Sequence, residues 1–402
     1  MIPIRVAGSP TESSQSFARV ASAGFVLTGV VNTFLGPFLP ILAARWALSD
    51  SRAGYFFAAQ FLGSIMGVNI SSVLVPRRGF RFTIGLAYLL MAAGIGGLAS
   101  SGWKYALLST FALGLGFGVA IPATNLFVSK ANQNRRASAL SALNFCWGLG
   151  ACFTPVAIYF FVRKDHASMF LVLLCGLLLL LAGCLAFTAG GNPPANEQKI
   201  TDRVQGKPEW RFAAIIGGMF FLYVAIEASV GGWIATLAER VPLGAIGSWV
   251  LAPSLFWGGL LAGRGFAPII LRHVHERRLA IAGLVGAALG MCTLVVSSRW
   301  QWIAAAGLVV GFGLAPVFPI TVALLSRFQN AETRNAGPMF ALAGLGGAIM
   351  PWLVGTVSTR HKSLQSGLMV PLLATLTLLW LHVIGNHGSQ PPFEPQKRTS
   401  RR

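Results

Sequence analysis

Two ionisable side chains, Glu227 and Arg264, interrupt long apolar stretches of this 402-residue sequence. Of the eleven acidic residues, Glu227 alone lies in the middle of such a stretch, and Arg264 is the only basic residue well inside one. A charge at membrane depth is costly, so it usually faces a cavity or a partner. We predict that Glu227 binds a substrate or a coupling ion, and that Arg264 binds a solute or pairs with Glu227. The structural alternatives are a carboxylate bonded to neighbouring helices and an arginine that extends to the membrane surface.

Uncharged polar residues collect in the first half of the chain. They are Asn32, Gln60, Asn69, Asn125 and Asn144. An amide offers both donors and acceptors, and a small solute with hydroxyl groups requires both. The alternative is that these amides hydrogen-bond one membrane helix to another.

Aromatic residues at comparable depth could stack on the apolar face of a solute ring, although packing against other helices or lipid is the alternative. They are Phe34, Phe38, Trp147, Tyr223, Trp233 and Trp257. We predict a central cavity near the middle of the membrane, and Arg264 and Trp233 are further candidates for contact with the solute. The predicted lining is Asn32, Gln60, Asn125, Asn144, Tyr223 and Glu227.

The composition indicates which elements must position these residues. The chain is 54% hydrophobic and only 10% charged, whereas soluble domains carry roughly 25% charged residues. This predicts an all-α integral membrane protein, because the apolar runs are too long and uniform for barrel strands. A membrane-spanning helix needs roughly 20 apolar residues. Twelve stretches qualify: 20–44, 53–75, 82–101, 105–129, 138–162, 167–189, 212–236, 246–271, 279–298, 301–325, 337–358 and 364–386.

The basic residues predict the orientation of these twelve helices. Of the 31 lysines and arginines, 21 lie in the two tails and in the loops after even-numbered spans, and nine lie in the opposite loops. Basic loops stay in the cytoplasm, so both termini are predicted to be cytoplasmic in a multi-pass protein of the plasma (inner) membrane. The net charge of +20 is explained by this topology and by attraction to anionic lipid. Because the charges are clustered between apolar runs, we expect no nucleic-acid partner.

A repeated pattern divides the chain into two similar halves. Gly114-x-Gly116-x5-Pro122 recurs 197 residues later as Gly311-x-Gly313-x5-Pro319. Gly150 to Pro155 matches Gly346 to Pro351 at an offset of 196, and Gly63-x3-Gly67 matches Gly259-x3-Gly263 at the same offset. Membrane proteins built from two such halves usually move a solute, because the halves can rock about a site between them.

The repeat and the polar stretches predict the domain boundaries. Two pseudo-symmetric six-helix bundles are expected at 1–189 and 212–387. The stretch 190–211 is rich in glycine, proline and charge, which is typical of a cytoplasmic linker. The basic tail 388–402 is predicted to be disordered.

Twelve spans, a six-plus-six repeat and a central linker resemble the major facilitator superfamily. The loop after the second span resembles the signature G-x-L-x-D-R-x-G-R-R of that superfamily, with matches at Arg77, Gly79 and Arg81. Arg78 lies within the same loop, and Pro76 stands in place of the aspartate of the signature. The resemblance implies that Arg77, Arg78, Gly79 and Arg81 form a gating loop, without the usual charge relay through the acid. Thr110 stands where many proton-coupled members have arginine.

Spans seven and eight resemble the fucose permease branch of sugar transporters. The stretch Phe221–Glu227 resembles the F-Y-V-G-A-[QE] helix of that branch, and Trp233 follows it. Gly263-Arg264 resembles its G-R-F helix, whose arginine lies in the sugar cavity, and Asn32 resembles an asparagine of its first helix. The acids expected near Gly36 and in the fourth span are missing. The resemblance therefore implies a sugar carrier whose proton mechanism differs from that of the branch.

The leading hypothesis is a secondary transporter that moves a small polar solute, above all a sugar, by alternating access, in symport with a proton or sodium ion or uncoupled. Efflux of an amphipathic compound is the alternative, and a membrane sensor or enzyme represents another class. No cofactor or metal is expected, because the sequence has no H-E-x-x-H cluster and no ATP-binding loop. No serine-histidine-acid set is evident either, since the histidines outside the tail lie mostly in loops. We expect a monomer in the lipid bilayer.

Overall fold

A computed structural model describes residues 12–99, 102–132, 135–188, 210–241, 248–328 and 336–384 of the chain. The predicted tail 388–402 and residues 190–209 of the predicted linker lie outside these ranges. The linker was predicted to extend to residue 211, but a helix already begins at Trp210.

The described residues fold into α-helices joined by short connections, with one 3-10 helix at Ser248–Leu251. The α-helices, in chain order, are α1 (Glu12–Thr33), α2 (Leu35–Arg45), α3 (Asp50–Gly97), α4 (Trp103–Ala131), α5 (Arg136–Val162), α6 (Ala167–Phe187), α7 (Trp210–Glu239), α8 (Ala252–Ile270), α9 (Glu276–Val296), α10 (Trp300–Leu314), α11 (Val317–Phe328), α12 (Ala336–His361) and α13 (Leu364–Ile384).

All twelve predicted spans correspond to these helices. Nine described helices are long and apolar enough to cross a membrane, and α1 with α2 forms a tenth span bent by 44°. The 48 residues of α3 would extend about 72 Å if straight, more than twice the apolar thickness of a bilayer. It therefore contains two spans, and α8, which carries Arg264, supplies the twelfth.

Two spans, the first and the tenth, are interrupted in ways that the apolar pattern did not predict. The first bends at Phe34, where α2 starts with a proline in its first turn. Between the second and third spans, where the sequence predicts a loop, the chain reverses inside α3 at Gly79, whose φ of 78° and ψ of 171° favour a residue without a side chain. The tenth span breaks between α10 and α11 at Ala315–Pro316, because Pro316 has no N–H to continue the helical bonding.

The offset of the sequence repeat recurs in the packing of the helices. A Cβ added to Gly114 would collide with the carbonyl of Gln60, and one added to Gly311 would collide with the carbonyl of Phe256. In each half, the fourth span thus packs against the second span at backbone distance. The glycines at these positions are needed for close approach rather than for chemistry.

The same correspondence holds for the first and fifth helices of each half. Gly150 on α5 approaches the carbonyl of Val26 on α1, and Gly346 on α12 approaches the carbonyl of Phe221 on α7. The two six-helix bundles then meet each other along α2 with α7, α3 with α12, and α5 with α8. These three contacts surround the space in which the central site lies.

Candidate functional site

A cavity of about 270 Å³ lies between the two bundles. At about 30 Å³ per water molecule, it has room for roughly nine waters, which suits a small solute. Helices α1 to α5 form one wall, and α7, α8 and α11 form the other. The lining residues are Phe25, Asn32, Thr33, Gly36, Phe57, Gln60, Phe61, Phe117, Ile121, Asn144, Trp147, Tyr223, Val224, Glu227, Ala228, Gly231, Gly232, Trp257, Arg264 and Phe318.

The charged centre of the cavity consists of Glu227, Arg264 and Tyr223. Tyr223 and Glu227 are four residues apart on α7, so they share one face of that helix. The Arg264 Nη2 atom on α8 lies 3.5 Å from Glu227 Oε1 and donates to the Tyr223 hydroxyl at 3.4 Å. Both distances are long for hydrogen bonds. The pair predicted from the sequence is therefore present, with bonding capacity left over for a solute.

The opposite wall carries neutral amides. The Gln60 side chain on α3 donates to the backbone carbonyl of Asn32 at 3.3 Å, which ties two lining residues together. Asn144 on α5 donates to the Leu140 carbonyl of its own helix at 2.8 Å. In both bonds the amide nitrogen is the donor, so the amide oxygens are not used by these contacts. This wall can accept hydrogen bonds without adding a charge.

Aromatic rings close the cavity from both bundles. Trp147 on α5 meets Trp257 on α8 edge to face, with ring centroids 5.9 Å apart. Phe318 on α11 packs on Tyr223 at 5.1 Å. Rings in these arrangements give flat apolar surfaces with fixed orientation. The Trp147–Trp257 contact also joins the two bundles beside the charged centre.

Two predicted site residues lie elsewhere. Asn125 does not line the cavity. It lies one turn beyond the lining residue Ile121 on α4 and donates to the Ile121 carbonyl at 2.8 Å. Trp233 is fully buried, donates to the Pro351 carbonyl at 2.9 Å, and packs behind the lining residue Phe57 with centroids 5.9 Å apart. Its indole bonds to α12 rather than facing the solute space.

The predicted gating loop is remote from the cavity. Gly79 forms the reversal within α3, and Arg81 donates to the Ala186 carbonyl near the end of α6. Arg78 lies with its guanidinium 5.8 Å from the Phe82 ring, and Arg77 is exposed. The loop thus holds helices of the first bundle together, and within the described residues it lines no part of the central cavity.

A polar cluster that the sequence did not reveal joins the two bundles at one end of the molecule. Asp50 at the start of α3 accepts two hydrogen bonds from Arg240, at 2.8 and 2.5 Å, and one from the Ser358 hydroxyl at 2.5 Å. The Ser51 N–H donates to the Thr359 hydroxyl at 2.8 Å. We call Asp50, Ser51, Arg240, Ser358 and Thr359 the Asp50 cluster.

The Asp50 cluster joins the two bundles in a defined geometry. Bidentate pairing of a guanidinium with a carboxylate fixes geometry as well as charge, and the Asp50 side chain is only 11% exposed. Hydrogen bonding to Asp50 raises the pKa of Arg240 above its ordinary value, so the arginine stays charged. An acid at the start of a helix is common because it offsets the helix dipole, and that local signal does not reveal a partner 190 residues away.

The cavity is closed at the end that carries the Asp50 cluster and accessible from the opposite end. Gly36, Phe57 and Gly231, which line it toward the Asp50 cluster, are buried. Asn144 is exposed, and Ile121 is partly exposed toward the opposite end. That opposite end carries the Arg77–Arg81 loop, and we call it the Arg77 end. Among the described lining residues, those toward the Arg77 end are the more exposed, which favours entry of a solute from that end.

Comparison with known proteins gives a consistent result. The sequence pattern of the Major Facilitator Superfamily matches residues 21–337. The glucose/mannose transporter GlcP of Bacillus subtilis is 26% identical over 364 residues, covering 83% of this chain and 86% of that protein. The sodium-dependent glucose transporter 1 of Xenopus laevis is 23% identical, covering 86% of this chain and 76% of that protein.

Solved structures share the fold. The D-xylose-proton symporter has a TM-score of 0.73 at 18% identity, covering 90% of this chain and 97% of the other. The fucose:proton symporter FucP of E. coli has a TM-score of 0.61 at 15% identity, covering 93% and 98%. At these identities the likeness concerns the arrangement of the helices alone. The predicted two-bundle helical fold and the sequence resemblance that led to it are confirmed.

Proposed function

The chain belongs to the Major Facilitator Superfamily, and we propose that it carries a monosaccharide through the cavity between its two bundles. It is a multi-pass membrane transporter and not an enzyme. The observation that carries the proposal is the Glu227–Arg264–Tyr223 centre, which faces a wall of amides and aromatic rings. Glucose transporters among the relatives support this choice of solute.

The proposed contacts follow from the chemistry of a sugar. Each hydroxyl both donates and accepts a hydrogen bond, so a sugar needs donors and acceptors on opposing sides. Arg264 is the donor and Glu227 the acceptor on one wall, and Gln60 and Asn144 can serve as either on the other. The ring carries apolar C–H faces, which the indole of Trp257 can cover. Binding sites with a few polar groups in an aromatic lining are typical for small molecules.

The proposed transport cycle alternates between two openings. In the present structure the Asp50 cluster closes one end, and the solute space is accessible from the Arg77 end. We propose that the Arg77 end and both termini are cytoplasmic and that the membrane is the inner membrane, and the bias of basic residues supports this orientation. The bundles 1–189 and 212–387 would then rock about the cavity as units, and opening to the outside would break the Asp50 cluster.

Coupling to an ion is proposed at Glu227. Relatives and fold neighbours include a sodium-dependent glucose transporter and proton symporters for sugars. In this chain, Glu227 is the carboxylate among the described lining residues, so it is the group on which a proton or sodium ion would act. We propose that the ion and the sugar share the centre formed with Arg264.

Uptake by purified protein in proteoliposomes tests the proposal. We expect saturable uptake of radiolabelled D-glucose that is inhibited by unlabelled hexoses and stimulated by an inward sodium or proton gradient. Thermal-shift screening against sugars gives a second readout, because a specific ligand stabilises the folded state. Inhibition by lipophilic cations together with indifference to sugars would instead indicate efflux of amphipathic compounds.

A further inference from the structure

A second groove lies on the outer surface of the first bundle, between α3 and α6 near the Arg77 end. Its volume is about 580 Å³. It faces away from the central cavity and shares no lining residue with it. The lining residues are Arg78, Arg81, Phe82, Gly85, Leu86, Leu89, Ala182 and Ala186.

One part of the groove is apolar and follows α3 into the membrane. Phe82 and Leu89 are each about half exposed. A Cβ built on Gly85 would meet nothing within 4 Å, so the missing side chain leaves open space between them. From Arg81 to Leu89 the helix rises about 12 Å, which is deep enough to lie against hydrocarbon rather than headgroups.

The other part is cationic and lies where α3 leaves the membrane. Arg78 and Arg81 are both exposed, and Arg78 lies over the Phe82 ring. Arg81 uses one nitrogen to bond the Ala186 carbonyl, and a guanidinium has further donors. None of the described residues that line the groove is acidic. Pro76 replaces the acid that the loop signature would supply, so the loop has no carboxylate of its own.

We propose that this groove binds an anionic diacyl phospholipid. The phosphate would sit at Arg78 and Arg81, and an acyl chain would lie over Phe82, Gly85 and Leu89. A guanidinium pair recognises a phosphate by charge-assisted hydrogen bonds, and arginines at the membrane surface attract anionic lipid. The cationic site adjoins an apolar channel that is deep enough to hold an acyl chain. This arrangement favours a lipid over a soluble phosphate, which would use the cationic part alone.

The second bundle shows which arginine is specific to this site. Arg277, 196 residues after Arg81, donates to the Val383 carbonyl as Arg81 donates to that of Ala186. This bond between the start of one helix and the end of another is thus shared by both halves and is structural. The position equivalent to Arg78 is Val274. Arg78 is therefore the residue that distinguishes the groove.

Native mass spectrometry of the delipidated full-length protein tests the site, with phosphatidylglycerol and phosphatidylcholine of identical acyl chains as probes. We expect the wild type to bind phosphatidylglycerol about fivefold or more tightly than phosphatidylcholine. Arg78→Gln should abolish this preference, and Arg78→Lys should restore most of it. Gly85→Leu should weaken both lipids, because its side chain fills the apolar channel.

Matched controls separate the site from general effects of charge and size. Arg278→Gln removes an exposed arginine from the second bundle, and Gly286→Leu fills a glycine position that is equally open. Both should bind phosphatidylglycerol as the wild type does. The proposal is overturned if Arg278→Gln loses as much preference as Arg78→Gln, if the wild type binds both lipids equally, or if glycerol 3-phosphate displaces phosphatidylglycerol. Because the readout is lipid binding, failure of sugar uptake would leave the result unaffected.

Discussion

The two walls of the central cavity share a backbone plan but differ in charge. Val26 and Phe221 occupy equivalent packing positions 195 residues apart, and the same offset relates Asn32 to Glu227. At equivalent places on the first helix of each bundle, one half thus presents an amide and the other a carboxylate. Arg264 likewise corresponds, at an offset of 196, to the exposed Val68. The repeat preserves helix contacts, whereas the charged groups among the described lining residues lie on the second bundle alone.

This comparison indicates how a scaffold of two similar halves can carry a binding site whose two walls differ in charge. A neutral wall and a charged wall can hold a polar solute between them, and the charges need each other to be stable at membrane depth. The shared glycines determine where the walls are, and the unshared side chains determine what they bind. Removal of a charge from the second bundle should therefore affect transport most, and substitution of either of two repeat-related glycines should affect stability to a similar extent.

The largest effect is expected from Glu227→Gln. A hydrogen bond to a charged group contributes about 1.5–3 kcal/mol, so we expect initial sugar uptake in proteoliposomes to fall about tenfold or more. Asn32→Asp, which places an acid at the equivalent position, should not rescue it, because Arg264 is on the second bundle. If Glu227 couples a proton, gradient-driven accumulation is lost while exchange of sugar persists. Normal uptake by Glu227→Gln would contradict the proposed division between the walls.

The shared scaffold is probed by Gly114→Ala and Gly311→Ala. Each added methyl group would meet a backbone carbonyl that cannot move without shifting its helix. Overpacking of this kind typically costs about 1–3 kcal/mol. We expect both variants to lower the thermal unfolding temperature by similar amounts. Gly85→Ala serves as the control, because its Cβ has free space. A large loss in only one of the two paired variants would show that the halves do not depend equally on this contact.

The interaction between the two charges is measured by a double-mutant cycle. Arg264→Gln alone leaves Glu227 without its cation, and the double change to glutamine removes both charges. At 3.5 Å, with side chains 31% and 15% exposed, the pair is screened in part, so we expect a coupling of about 1 kcal/mol. Thermal unfolding of the four proteins provides the measurement. Strict additivity, with wild-type transport in both single variants, would exclude the pair from the mechanism.

The smallest effect is expected from Asp50→Asn, which weakens the contact between the bundles without touching either wall. Partly exposed pairs contribute about 0.2–1 kcal/mol. We expect the population of molecules open at the Asp50 end to rise by up to about fivefold. Site-directed spin-label distances across that end measure this population. Asp165→Asn, at an exposed loop on the same side, is the matched control. Unchanged distances in Asp50→Asn would mean that other contacts close this end.

Much of the fold followed from the sequence because membrane helices need long apolar runs. All twelve spans were found, whereas the bend at Phe34 and the break at Ala315–Pro316 were not, since apolar content continues through both. The pairing of Glu227 with Arg264 was predictable because two isolated charges in apolar segments need partners.

Other features of the site required three-dimensional information. Asn125 and Trp233 lie on helices that line the cavity, but their side chains hydrogen-bond to backbone carbonyls. The type of a single residue does not reveal which face of its helix is turned toward the cavity. The Asp50 cluster was missed for a different reason. Its acid and its arginine lie at helix ends in separate bundles, where charged residues are ordinary.

The Asp50 cluster also affects how strongly the carrier appears to bind on each side of the membrane. A ligand binds only to the fraction of molecules that are open toward it, so its apparent Kd is the intrinsic value divided by that fraction. If the cluster contributes about 1 kcal/mol, the fraction open at the Asp50 end falls about fivefold, and the apparent Kd measured from that side rises correspondingly. Identical contacts with the sugar would then yield unequal half-saturation concentrations on the two faces, set by residues that never touch it.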